Sequence, residues 1–327
     1  MNFLKRTAVQ SFFILILLFV GHVSVSQSYL PGNTYWDSTG YVEYRAGNLP
    51  LILSAPHGGN WSPDSIPDRN CSGCRYLIDA YTRVLSWWLY NTIHQQTGCY
   101  PHLIMNRLHR EKFDANRNIG DAADGNPQVE RAWRGYHAFI DSARASVMAK
   151  YQRGLFLDIH GHGHAQQRIE LGYLLTSNQL NQPDSLLNAP GTILSSSIRR
   201  LAGDNYQKWT HAELLKGAFS FGTLMHNKGY PSVPSTADPY PGANEPYFTG
   251  GYNTKRHGSR QNNGPIDAIQ IELNQNIRFQ SGTRDTLIDS LSLAMLQYID
   301  YHYDKSFLGN YCRGTFSTTS YRPTAYK

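Results

Sequence analysis

The chain alternates between short apolar runs and stretches whose apolar residues recur at helical spacing. Leu51-Ile52-Leu53-Ser54-Ala55 is a compact run closed by Pro56-His57-Gly58-Gly59, and it reads as a buried strand. Over residues 76–95, Leu77, Tyr81, Val84, Leu85, Trp88 and Leu89 follow helical spacing, and Gly98 stops the helix. Residues 103–108 read as the next strand. Residues 127–151 form a long helix with proline at its start. Leu155-Phe156-Leu157-Asp158-Ile159 is a further strand, and it runs into His160-Gly161-His162-Gly163-His164. Residues 171–175 suggest a strand, and 192–201 and 205–215 suggest helices. Residues 219–263 are rich in Gly, Pro, Tyr and Asn and have little periodicity, as functional loops often do. Ile269-Gln270-Ile271-Glu272-Leu273 alternates as a strand does, and an amphipathic helix over 286–302 closes the pattern. Residues 27–48 read as short strands or irregular chain. Strands alternating with helices predict an α/β fold, with a mixed, largely parallel sheet covered by helices on both faces.

Residues 1–26 read as a secretory signal peptide. Lys5 and Arg6 form the basic start, residues 12–20 the apolar core, and Ser24-Val25-Ser26 the small residues before cleavage at Gln27. The apolar core is short for a membrane span. Residues 27–327 then form a single catalytic α/β domain with a Ser/Thr/Tyr-rich C-terminal tail from Gly309. The expected location is exported, either periplasmic or extracellular, with no stable membrane association after cleavage. The net charge of +6 falls nearer +4 once Lys5 and Arg6 are removed, and no basic run or nucleic-acid motif is present, so no nucleic-acid partner is expected. Export gives the four cysteines meaning. Cys71 and Cys74 suit a local disulfide, and Cys99 would then pair with Cys312, although three connectivities are open.

His57 and His160 each follow a buried strand, where open α/β sheets bind ligands. Neutral imidazole is a common zinc ligand. Asp79 falls in the first turn of the predicted helix, where a helix-dipole role is the alternative. With His57 and His160 it would give zinc three protein ligands and leave a position for water. Asp158, on the same side of its strand as His160, and His162 are assigned supporting positions around the metal. Glu272, on the polar side of its strand, is placed to act as a base. Arg117 could clamp a carboxylate bidentately.

Five motifs together resemble the N-formylglutamate amidohydrolase family, whose fold is similar to that of zinc carboxypeptidases and aspartoacylases. They are Ala55-Pro56-His57-Gly58-Gly59, Asp114-Ala115-Asn116-Arg117, Leu157-Asp158-Ile159-His160-Gly161, Gly250-Gly251-Tyr252 and Gln270-Ile271-Glu272-Leu273-Asn274. The resemblance implies a zinc hydrolase that cleaves the amide of an N-acyl amino acid. It implies His57 and His160 as ligands, Glu272 as the catalytic base, and Asn116 and Arg117 as binders of the substrate carboxylate. Tyr252 and Arg256 are added as substrate-binding residues. The acidic ligand departs from the carboxypeptidase pattern, because Asn60 stands where His-x-x-Glu would place the acid. Asp79 is taken instead, with Asp64 and Asp68 as rivals. Two other functions stay open. One is a secreted zinc peptidase acting on γ-glutamyl or cell-wall peptides, which an open groove would favour over a closed pocket. The other is a non-catalytic extracellular binding protein on the same scaffold.

Overall fold

The computed structural model describes residues 28–303, except Tyr206 and Asn263. The signal segment, Cys312 and the tail from Gly309 lie outside the described residues. Eight strands build one mixed sheet: β1 (Thr34–Trp36), β2 (Val42–Arg45), β3 (Leu51–Ala55), β4 (His102–Asn106), β5 (Gly154–Gly161), β6 (Ile169–Gly172), β7 (Ser232–Val233) and β8 (Ile266–Leu273). Their order is β1-β2-β4-β3-β5-β8-β6-β7. The central β4, β3, β5 and β8 run parallel, whereas β2 and β6 join this core antiparallel. The fold is therefore the α/β class expected.

The chain crosses from β3 to β4 through helix Thr82–Thr97, and from β4 back past β3 to β5 through helix Pro127–Tyr151. These crossovers travel in opposite directions. Right-handed connection puts their helices on opposite faces, which buries the central strands on both sides. Every residue of β3 and β8 is buried, including the alternating polar ones. Those polar residues are placed by register. Ser54 pairs with Asp158, Asp158 with Gln270, and His160 with Glu272, which in turn faces Glu170 of β6. Side chains alternate along a strand, so these residues share one face and gather toward the carboxyl ends of β3, β5 and β8.

Strand β3 and helix Pro127–Tyr151 match the sequence reading residue for residue. The helix expected over 76–95 instead begins at Thr82, preceded by Tyr81 in the left-handed region (φ 70°). Residues 69–78 are held as a loop, so Leu77 is 86% exposed rather than on the helix's buried stripe. The helix expected over 192–201 is broken, because Ser197 exchanges backbone hydrogen bonds with Tyr173 and Ala268. Within 205–215 only His211–Lys216 is helical. The aperiodic stretch 219–263 holds β7 and the helices Phe221–His226 and Tyr252–His257, elements too short to show a period.

Cys71 and Cys74 form a disulfide, and Cys99 is also disulfide-bonded. Among the described residues no helix is long and apolar enough to cross a membrane.

One buried carboxyl gives the fold a pH dependence. Asp267 accepts from Ser259 Oγ (2.6 Å), Leu201 N (3.1 Å) and Tyr303 Oη (3.0 Å), and burial pushes it up to about 7. Its folded-state pKa is raised, so its contribution to stability is fully present below pH ~4 and is lost as pH rises through about 7. The loss amounts to as much as about 4 kcal/mol. The melting temperature of Asp267→Asn should therefore gain on wild type between pH 4 and pH 8. A constant difference across that range would contradict the assignment.

Candidate metal centre

The loop after β3 begins with His57-Gly58-Gly59. A Cβ on Gly58 would lie 2.4 Å from Arg83 N, and one on Gly59 would lie 2.4 Å from Arg107 C. Only glycine lets this loop pass so close to its neighbours. The turn returns Asp79 beneath His57, where Asp79 N donates to His57 O (3.0 Å). Asp79 thus reaches the histidines from a loop, three residues before the helix that it was expected to open.

His57 Nδ1, His160 Nδ1 and Asp79 Oδ2 converge: the two nitrogens are 3.1 Å apart, and they lie 3.2 and 3.1 Å from the carboxylate oxygen. Edges of about 3.3 Å are what tetrahedral bonds of ~2.0 Å produce. The far nitrogen of each ring is committed elsewhere. His57 Nε2 donates to Asp114 Oδ1 (2.6 Å) and His160 Nε2 to Asp158 Oδ2 (2.8 Å). With those protons placed, two lone pairs face each other beside a carboxylate, an arrangement that a cation satisfies. All three residues are buried, and together they form an N/N/O donor set that could hold a divalent metal ion. Carboxylates behind ligating histidines fix tautomer and ring orientation.

The electrostatics agree with this arrangement. Burial raises the Asp79 carboxyl, but the charges and hydrogen bonds of His57 and His160 outweigh it and hold the group well below the usual carboxylate range. Burial lowers His160, yet Asp158 and Asp79 together raise it well above an ordinary histidine. Both shifts arise from acids and imidazoles packed together in one buried site.

Asp114 is the residue whose position sequence reading missed, although it opens the Asp114-Ala115-Asn116-Arg117 motif. Fully buried, it accepts from His57 Nε2, Asn116 N (3.0 Å) and Arg110 Nε (3.0 Å), while Arg110 Nη1 reaches Asp79 Oδ1 at 3.5 Å. Arg110 thereby ties both acids together. Asp114→Asn should keep the fold and weaken metal affinity by roughly 10–100-fold. Competition with a chromophoric chelator measures this, and unchanged affinity would remove Asp114 from the support of His57.

The other candidate residues fall around this trio. Glu272 is buried one strand from His160 and accepts from Gln270 Nε2 (2.8 Å). Burial, with Asp79 and Glu170 adding and His160 opposing, pushes it up to about 8. Asp64 and Asp68 are exposed, and Asp68 pairs with Lys112 (2.6 Å), so neither joins the histidines. Asn116 spends its amide oxygen on Asn253 N (2.7 Å). Its Nδ2 lies 3.3 Å from His160 Nε2, and a Cβ on Gly251 would strike it at 2.3 Å. Arg117 is half exposed at the cleft, 4.0 Å from Asp114. Tyr252 lines the cleft. Arg256 is not among the lining residues; it turns to Asp141 (3.7 Å) and sits over the Trp133 ring. His162 lines the cleft and donates from Nε2 to Arg168 O (2.8 Å).

No protein-family model and no curated protein matches the sequence. Among solved structures, the chain is similar to the N-formylglutamate amidohydrolase of Ralstonia eutropha, with 15% identity, 80% of this chain and 98% of that one covered, and a TM-score of 0.49. It is also similar to the succinylglutamate desuccinylase of Chromobacterium violaceum (13% identity, 81% and 72% covered, TM-score 0.36). A third is the N-acetylmuramyl-L-alanine amidase of Mycobacterium abscessus (13% identity, 77% and 99% covered, TM-score 0.32).

The metal trio lies in a cleft of about 1180 Å³. One wall is the segment from Cys74 to Ala80, anchored by buried Arg69. The Arg69 guanidinium donates to Arg75 O (2.6 Å), Arg110 O (2.7 Å), Asp121 O (2.9 Å) and Cys74 Sγ (3.1 Å). A buried guanidinium bonded to so many backbone carbonyls, beside a disulfide, holds this wall in place.

Proposed function

We propose that the protein is a secreted zinc-dependent amidohydrolase that cleaves the amide of an N-acyl amino acid, N-formylglutamate-like in chemistry. The observation that carries this is the convergence of His57 Nδ1, His160 Nδ1 and Asp79 Oδ2, with Glu272 one strand away. The motif resemblance supports the same reading. A zinc ion held by His57, Asp79 and His160 would supply Lewis-acid activation of water near neutral pH. Glu272 takes a proton as water adds to the amide carbonyl, and returns it to the departing nitrogen as the C–N bond breaks, giving a carboxylate and an amine. Arg117 holds the free carboxylate of the amino acid, and Asn116 braces the loop that carries it.

The size of the cleft supports the second reading, a secreted zinc peptidase. Small-molecule sites span about 300–1,000 Å³, and this cleft exceeds that range. Zinc-loaded protein should be assayed on N-formylglutamate, other N-acyl amino acids, and γ-glutamyl and cell-wall peptides. Cleavage that is abolished by a chelator and restored by zinc is expected. No cleavage of any class by fully loaded protein would overturn the enzymatic reading in favour of a binding protein.

A further inference from the structure

His164 stands in the same cleft with no part in the chemistry above. Its Nδ1 donates to Glu170 Oε1 (2.8 Å), and its ring stacks on Phe248 at 4.7 Å with 12° between the planes. Glu170 is fully buried and also accepts from Phe248 N (2.9 Å). Among the described residues, its ion-pair partner within 4.0 Å is His164 alone. The imidazole is thus held at one nitrogen and on one face, which leaves Nε2 for the cleft that His164 and Phe248 both line. Such a dyad is built to present one hydrogen-bonding nitrogen in a set direction.

Sheet register places Glu170, the residue that holds His164. His160, Glu272 and Glu170 form one row across β5, β8 and β6. Neighbouring strands are about 4.8 Å apart, so Glu170 is roughly 10 Å from His160 along the row. Arg117 follows β4, beyond His57 at the opposite end. If Arg117 holds the carboxylate of the departing amino acid, the acyl portion runs from the scissile carbonyl toward His164. About 10 Å, less one hydrogen-bond length, is roughly two residues of extended chain at ~3.3–3.6 Å each.

We propose that His164, oriented by Glu170, is a substrate-binding subsite whose Nε2 accepts a hydrogen bond from an amide N–H or hydroxyl about two residues from the scissile amide on its acyl side. Such a subsite fits an acyl portion extended like a peptide, as in the second of the two readings above. The proposal rests on the amide-hydrolase reading of the metal site.

The test is a ladder of substrates with one, two and three residues on the acyl side of a common C-terminal amino acid. In wild type, kcat/KM should rise on adding the second residue. In His164→Ala that gain should shrink by roughly 2–10-fold, the scale of one neutral hydrogen bond. Glu170→Gln should show a partial loss. Zinc content and melting temperature are measured alongside, so that a folding or metal defect is not read as lost recognition. Cleavage of short substrates with no gain along the ladder, or an equal gain in His164→Ala, would overturn the subsite while leaving the hydrolase intact. Calorimetric binding of the same peptides to zinc-loaded Glu272→Gln and to Glu272→Gln/His164→Ala reads the subsite without turnover. Equal affinity of the two would overturn it even if no substrate is ever cleaved.

Discussion

Replacing Asp79 by alanine or asparagine is expected to empty the metal centre. Asp79 Oδ2 is the one anionic atom of the trio, 3.1–3.2 Å from both Nδ1 atoms. Without it the two imidazoles offer a cation only neutral donors inside a buried site, where uncompensated charge is costly. The loss should therefore exceed the ~10–100-fold expected for disturbing a group behind a ligand. Asparagine keeps the shape that Arg110 and Gly161 N contact, so Asp79→Asn should hold its melting temperature better than Asp79→Ala. Metal analysis after dialysis against a weak chelator is the measurement. Full zinc in both variants would move the acidic ligand elsewhere, and the exposed Asp68 would have to be reconsidered through Asp68→Ala.

The second large effect concerns turnover alone. Glu272→Gln should leave zinc content and melting temperature near wild type and lower kcat by ~10²–10⁴-fold. The substitution preserves volume and can keep the contact with Gln270 Nε2, but it removes the proton acceptor. Its position argues for the role: it is buried beside His160 in register, with Glu170 on the next strand. Burial and the neighbouring acids Asp79 and Glu170 outweigh the opposing His160 at Glu272, and such surroundings favour a group that takes up a proton. Near-normal turnover would show that another residue is the base, while loss of zinc would make Glu272 a ligand.

Much of the frame could be read from the chain, for identifiable reasons. β3 and helix Pro127–Tyr151 came out at their expected bounds because each has a clean period and a sharp stop: Pro56 and two glycines for one, Pro127 at the start for the other. His57, His160 and Glu272 were visible because each sits at or near the end of a strand with an unmistakable apolar pattern. Periodicity failed where long-range contacts override it. Residues 76–81 have helical spacing, yet the Arg69 anchor and the Cys71–Cys74 bridge keep the preceding chain looped.

The sequence by itself determined the central strands β3, β4, β5 and β8, which of their residues face alike, and that two histidines stand at strand ends. Those properties follow from local steric and hydrophobic periods, which need only a few neighbouring residues. Only the tertiary structure decided that Asp79 rather than Asp64 or Asp68 meets the histidines, that Asp114 braces His57, and that Arg256 turns away to Asp141. Only it placed Glu170 opposite Glu272 and His164 against Glu170. Tertiary packing sets these contacts between residues far apart in the chain, as with Ser54 and Asp158, 104 positions apart. No local pattern encodes the pairing of strands that are distant in the chain, because that choice is made by the packing of the whole core.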